Sequence, residues 1–383
     1  MSKFEIIAKT FEGLENVLAE ELKNLGAEQI EIKKRAVGYY GDKKLLYASN
    51  YCLRTALNIL VPINKFQANN EIELYKGISK INWENYLSLT DTFSINSTVF
   101  SDYFKHSKYV SLKVKDAIVD QFRRRKNKRP NIDVVNPDIK INIHIYKDTC
   151  TISLDSSGEP LFKRGYRISG YVAPINEVLA AGMILHTGWE GNCDFIDPMC
   201  GSGTIVIEAA MIAHKIPPGV YRKKFGFENW KDFDSELLEI IAEENDISAD
   251  FKYKIFGSDV SKTAIELSDK NIKNASLKNK INLNVNAFEN SKPTQDSGII
   301  VTNPPYGERM KKIDLDNFYK QIGDQLKKEY SGFDAWIISG NMEALKNIGL
   351  HTSRKIKLFN GPLECRFNKF SIYEGSKKAR KLD

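Results

Sequence analysis

The sequence predicts an α/β chain in which an α+β module precedes a Rossmann-like, doubly wound sheet. Three observations carry this. The first 66 residues follow the order β-α-β-β-α-β; a strand, a glycine turn and a helix succeed one another over 193–213; and further short strands downstream end in polar residues, as strands do at a ligand-binding sheet edge.

In chain order, residues 4–9 read as a strand and 11–25 as a helix with Leu14, Leu18, Leu22 and Leu25 on one side. Two strands over 28–41, a helix over 42–52 and a strand over 57–66 complete a ferredoxin-like unit. A strand near Phe93–Phe100, a helix from about Tyr109 to Lys126 and a hairpin over Ile139–Leu154 fill a second segment, 67–155. Ser156-Ser157-Gly158-Glu159-Pro160 breaks regular structure, so a linker is expected over 156–171, ahead of a catalytic domain over 172–376 and a basic tail over 377–383.

The 383 residues carry a net charge of +7, and Lys105–Arg129 alone holds ten Lys/Arg against two Asp, a net of +8. One helix therefore carries the basic excess. Val110, Val114, Ile118 and Phe122 form its buried stripe, and Lys113, Arg123, Arg124, Arg125, Lys126, Lys128 and Arg129 are candidates for phosphate contact. Lys163, Arg164 and Arg167 in the linker suit either RNA or local ion pairs, and Lys377–Lys381 suits nonspecific affinity. No apolar run approaches 18 residues and the N-terminus lacks signal-peptide regions, so a cytoplasmic protein with no membrane partner is expected. Cys52, Cys150, Cys193, Cys200 and Cys365 are scattered without a Cys-x-x-Cys pair, and the histidines lack metal-ligand spacing, so no metal is expected.

Cys193-Asp194-Phe195-Ile196 reads as a strand that runs into Asp197 and the turn Pro198-Met199-Cys200-Gly201-Ser202-Gly203, followed by a helix over Thr204–Ala213. Gly201 and Gly203 allow positive φ and close approach of a ligand. The third glycine of the dinucleotide fingerprint is missing, since Ile205-Val206 follow directly. An acid before the turn suits a ligand with a cationic end, such as the amino acid part of S-adenosylmethionine (SAM), better than it suits a pyrophosphate. A second strand, Tyr253–Val260, ends at Asp259, placed to accept ribose hydroxyls. Asp259 lies 62 residues from Asp197, so an insert of loop and helix is expected at about 215–250. Leu283–Phe288 is a third strand end, where Ala287 and Phe288 either flank an adenine ring or simply end the strand.

The reacting end follows Ser297–Thr302. Asn303-Pro304-Pro305-Tyr306 is a rigid turn whose prolines fix φ and carry no amide hydrogen. The side-chain oxygen of Asn303 and the carbonyl of Pro304 can both accept from one exocyclic NH2, drawing it towards a pyramidal nucleophile and stabilising the charge that grows on it. Tyr306 offers a stacking face. Phe333–Ser339 is an apolar strand, and Ile356–Phe359 with Cys365–Tyr373 suggests a closing antiparallel hairpin around Asn360-Gly361-Pro362.

With these blocks, Lys163-Arg164-Gly165-Tyr166-Arg167, Ala173–Glu177, Phe225–Trp230 and Asn303–Arg309, nearly the whole chain resembles the THUMP-domain class I RNA methyltransferases, closest to the bacterial 23S rRNA guanine-N2 group. The resemblance implies a seven-stranded class I methyltransferase domain behind a ferredoxin-like plus THUMP RNA-binding module. It further implies SAM as cofactor with S-adenosylhomocysteine (SAH) as product, and RNA, in particular 23S rRNA or a large-subunit precursor, as partner. On that basis Asp197, Pro198, Cys200, Gly201, Gly203, Thr204, Asp259, Ala287, Phe288 and Asn303 would hold the cofactor, while Asn303, Pro304, Pro305 and Tyr306 would carry the chemistry. Ala173–Leu185 would form a helix beside the cofactor, and Glu308 and Arg309 would either orient substrate or cap the next helix. The chain ends soon after one catalytic domain, so only guanine-N2 chemistry carries over. A tRNA guanine-N2 enzyme, an adenine-N6 DNA enzyme, a protein glutamine methylase and a non-catalytic RNA-binding factor are the rival functions.

Overall fold

A computed structural model describes residues 2–168, 174–247, 249–306 and 312–373. The chain forms two compact units, one of residues 1–10, 19–161 and 222–244, the other of 11–18, 162–221 and 245–383.

The first unit is built on an eight-stranded sheet. Strand β1 (Phe4–Lys9), helix α1 (Glu15–Asn24), β2 (Glu28–Lys33), β3 (Ala36–Gly41), α2 (Lys43–Cys52) and β4 (Asn58–Gln67) realise the expected ferredoxin-like order. Asp42 caps α2, its side chain accepting from Leu45 N at 3.0 Å. Then come α3 (Glu71–Ser79), β5 (Thr92–Phe100), α4 (Ser107–Lys126), β6 (Asn131–Ile132), β7 (Ile139–Tyr146) and β8 (Thr149–Asp155). The strands lie in the order β2-β3-β1-β4-β8-β7-β5-β6, so β4 joins the two halves through its antiparallel pairing with β8. Alternate residues of β7, Ile139, Ile141, Ile143 and Ile145, pack with Leu74 and Ile78 of α3 and with Val110, Val114, Ile118 and Phe122 of α4.

Residues 222–244 complete this unit, although in sequence they interrupt the catalytic half. Phe227 stacks on Tyr47 with ring centroids 4.0 Å apart, and Phe225 stacks on Phe227 at 5.3 Å. Trp230 packs against the α3–α4 core. Arg222 donates to the carbonyls of Pro160, Ser157 and Glu159. Helix α7 (Ser235–Asn245) ends the segment. The insert thus serves as an aromatic strap.

The second unit holds a seven-stranded sheet. Helix α5 (Glu177–Thr187), β9 (Asp194–Asp197), α6 (Thr204–Ala213), β10 (Ile255–Asp259), α8 (Lys262–Asn274), β11 (Asn282–Val285) and β12 (Gly298–Thr302) are followed by α9 (Lys312–Glu329), β13 (Phe333–Ser339), α10 (Met342–Lys346), β14 (Thr352–Asn360) and β15 (Leu363–Ser371). The order β11-β10-β9-β12-β13-β15-β14 is parallel up to β13, and β15 and β14 close it antiparallel. It reverses between β9 and β12, which makes the carboxyl ends of those two strands the expected ligand site.

Candidate active site

Strands β9 and β12 run side by side with Ile196 opposite Ile300, so Asp197 and Asn303 leave the sheet at neighbouring points. Thr302 Oγ1 donates to Asp197 Oδ1 at 2.7 Å, and Met199 N to the same oxygen at 3.2 Å. Asp197 is 1% exposed, and its Oδ2 has no hydrogen-bond partner among the described residues. Burial, with the charge of Asp259 adding to it and the Thr302 and Met199 bonds opposing, pushes its carboxyl up to about 7. A buried carboxylate with one oxygen unspent is a receptor for a cation.

The glycine turn is held from β10. Asp259 Oδ2 accepts from Gly201 N at 3.0 Å while its Oδ1 accepts from Ser261 N at 2.9 Å. Cys200 N bonds Ser258 O at 2.9 Å. Gly203, at φ +83°, lets α6 begin against α8, where a Cβ would stand 3.0 Å from Ser268 Oγ. Its place is behind the turn. Burial raises the Cys200 thiol well above its ordinary range, which leaves it a packing group rather than a nucleophile.

The reacting turn is fixed from three sides. Thr302 ties its start to Asp197. Tyr319 of α9 bonds Ser339 Oγ at 2.8 Å and reaches the Pro305 carbonyl at 3.5 Å. Asn360, at the end of β14, donates to the Tyr306 hydroxyl at 2.8 Å. Asn303 Oδ1 is buried and has no partner among the described residues. Like Asp197 Oδ2, it is a buried acceptor that can take a hydrogen bond from a bound group.

These residues surround one cavity of about 620 Å3, within the range of small-molecule sites. Its wall brings together Asp197, Pro198, Cys200, Gly201, Thr204, Asp259, Ala287, Phe288, Asn303, Pro304, Pro305 and Tyr306; Gly203 is not among the wall residues. Phe318, Gln321, Glu289 and Asn360 also line it and were not expected from sequence. Phe318 and Gln321 lie one turn apart on α9, a periodicity the sequence does display; Asn360 depends on the hairpin register and leaves no local signal. Among the described residues no cluster of His, Cys, Asp and Glu could hold a metal ion.

The RNA candidates sort differently. Arg123 pairs with Asp120 at 3.5 Å, Arg125 and Lys126 with Glu84 at 3.3 and 3.1 Å, and Lys113 with Glu71 at 3.8 Å. Arg124, Lys128 and Arg129 are exposed and have no ion pair among the described residues. Lys163 is exposed in the second unit. Arg164 is a correction. It is 2% exposed and its Nε pairs with the buried Glu208 at 3.4 Å, so it is shielded from any RNA phosphate. Arg167 pairs with Glu177 at 2.6 Å and donates to the Ile175 carbonyl and the Thr204 hydroxyl at 3.0 Å each, while its Nη1 is buried without a hydrogen-bond partner among the described residues. Ala173, Glu308, Arg309 and Lys377–Lys381 lie outside the described residues.

A parallel sheet closed by an antiparallel hairpin, with an acid and a glycine turn after its first strand and Asn-Pro-Pro-Tyr after its fourth, defines a class I methyltransferase. The chain belongs to the RMKL-like methyltransferase family, whose domain profile matches residues 164–369. A THUMP domain matches 68–155 and an RlmL ferredoxin-like domain matches 5–60. A Synechocystis protein named as an RNA methyltransferase is 38% identical over 367 residues, covering 94% of this chain and 95% of that one. The ribosomal RNA large subunit methyltransferase K/L of Syntrophotalea carbinolica is 36% identical over 376 residues, covering 94% of this chain and 53% of its own length. The crystal structure of SMU.472, a methyltransferase complexed with SAH, superposes with a TM-score of 0.87 at 30% identity, over 98% of this chain and 100% of the other.

Proposed function

We propose that this methyltransferase acts on RNA, transferring a methyl group from SAM to the exocyclic N2 of a guanine in 23S rRNA. The observation that carries the chemistry is the buried, unpartnered Asn303 oxygen beside two prolines that carry no amide hydrogen. The Synechocystis and Syntrophotalea relatives, the THUMP match and the exposed cations Arg124, Lys128 and Arg129 support RNA as the substrate.

The residues present fit SAM, whose sulfonium supplies an activated methyl group. Asp197 Oδ2 would hold the cationic amino group, Asp259 the ribose, and Ala287 with Phe288 the adenine. Next to Asp197, Asn303 Oδ1 and the Pro304 carbonyl would accept hydrogen bonds from the two N–H groups of the guanine N2. That frees its lone pair and stabilises the positive charge that develops on nitrogen. Tyr306, pinned by Asn360, presents its ring to a base flipped out of its stack. Incubation with radiolabelled SAM and total RNA from a strain lacking the protein, followed by digestion to nucleosides, is expected to place label in N2-methylguanosine of the 23S fraction. Label in a tRNA fraction or in another nucleoside moves the substrate. No RNA label from a protein that binds SAH overturns the reading.

A pH dependence follows from Asp197. Its carboxyl is raised from 3.8 to about 7, so the ligand-free fold holds that proton more tightly than the unfolded chain does. The group's contribution to stability is therefore greatest below about 4 and falls as pH rises towards 7. Cation binding needs the ionised form, which grows from roughly a tenth at pH 6 to roughly nine-tenths at pH 8. Calorimetry is expected to show SAH binding about 10-fold tighter at pH 8 than at pH 6, and Asp197→Asn should flatten that profile. A profile unchanged by Asp197→Asn would remove Asp197 from the ammonium site.

A further inference from the structure

We propose that the face of the eight-stranded sheet turned away from α3 and α4 is a docking surface for unpaired nucleotides of the RNA substrate, with Phe100 and Tyr146 as stacking platforms. The proposal rests on the RNA reading above and deepens it.

The register builds this face. Phe66, Cys150, Ile145 and Val99 point to the α3–α4 core, so the residues alternating with them point the other way. Pairing then aligns Gln67, Thr149, Tyr146 and Phe100 in one row across β4, β8, β7 and β5, and Lys65, Thr151, His144 and Thr98 in the next. Four strands at ordinary spacing span about 14 Å. Phe100 and Tyr146 are 62% and 57% exposed, the largest side chains of these rows and direct register partners.

Chemistry selects the occupant. These two rows contain Lys65, His144, Gln67 and three threonines and no aliphatic residue, whereas the core of a protein interface is mostly apolar and depleted of charge. They offer instead two aromatic faces, hydroxyls, an amide, an imidazole and a lysine, the combination by which sheet surfaces take unstacked bases. Lys147 Nζ lies 5.7 Å from the Tyr146 ring, and Lys65 is exposed in the second row. Lys9 and Lys33 stand close enough to His144 to act on its charge. The acids nearby are Asp148, which accepts from Thr149 Oγ1 at 3.3 Å, Glu31 and Glu5, which share Lys33 at 3.0 and 4.0 Å, and the buried Asp155, whose charge acts on Lys9. Lys65 and Lys147 are exposed and have no ion pair among the described residues, so they are the cations of this face that can meet a phosphate.

Stacking and phosphate contact differ in their response to salt, and that separates this surface from the cations of α4. The full-length protein is titrated with a labelled mixed-sequence single-stranded 12-mer RNA and with a duplex of equal length, across a salt series. Phe100→Ala with Tyr146→Ala is expected to weaken single-strand binding by about 10-fold or more while leaving the salt slope and the affinity for SAH unchanged. Phe100→Trp with Tyr146→Trp should retain binding. Arg124→Ala with Lys128→Ala and Arg129→Ala should flatten the slope instead. Single-strand affinity unchanged in the double alanine variant, or lost equally for duplex, overturns the proposal while the RNA reading stands. A wild-type protein that binds neither RNA overturns both. Melting curves of the variants matching wild type exclude a folding defect.

Discussion

Asn303→Ala is expected to bind SAH with near wild-type affinity and to transfer methyl groups at least about 100-fold more slowly. The asymmetry follows from when the interaction is made. An aromatic amine in the ground state is planar and has its lone pair delocalised, so it gains little from a second acceptor. As the methyl arrives, nitrogen becomes pyramidal and positively charged, and an acceptor already fixed in place is worth most then. Asn303 Oδ1 is preorganised in that sense: it is buried, it has no partner among the described residues to surrender, and its turn is held by Thr302, Tyr319 and, through Tyr306, Asn360. Single-turnover transfer from radiolabelled SAM to the methylated RNA fraction reads the chemical step, and calorimetry with SAH reads the binding step. A variant that turns over at the wild-type rate would mean that the proton-bearing nitrogen is not presented to Asn303, and the mechanism would fall with it.

The parts of this site that were legible in sequence are those whose chemistry is local. Asp197 and Asn303 follow short apolar strands directly, and the glycines and prolines beside them fix the backbone without help from afar. What escaped depends on distant partners or on weak amphipathic signals. Helix α3 buries only Leu74 and Ile78 and contains Gly77, a poor helix former kept because a Cβ there would stand 2.2 Å from the Phe66 ring. Helix α8 buries Ala264, Ser268 and Asn271 with Ile272, so its inner face does not look apolar. Phe225 and Phe227 read as part of a catalytic insert until Tyr47, some 180 residues earlier, stacks on Phe227, on which Phe225 stacks in turn. The basic helix was visible as a charge total that already counted Asp120, but Glu84, some 40 residues earlier, pairs with Arg125 and Lys126 in a way only the fold reveals.

Arg164 is the sharpest such case, and it yields the second large effect. Lys163-Arg164 in a linker has the chemistry of a phosphate contact, whereas the fold buries Arg164 against Glu208 of α6, and Tyr166 donates to the same carboxylate oxygen at 3.0 Å. Removing one member of a buried pair strands the other charge in a medium that cannot solvate it, at a cost of about 3–5 kcal/mol. Glu208→Ala and Arg164→Ala are each expected to lower the melting temperature sharply. Replacing both, Arg164→Met with Glu208→Leu, removes the stranded charge and its desolvation together and should recover most of the loss. Below its melting transition the double variant should bind RNA with the wild-type salt slope, because neither side chain reaches a phosphate. Arg164→Ala that melts like wild type but binds RNA with a shallower salt slope would return Arg164 to the surface and undo this assignment.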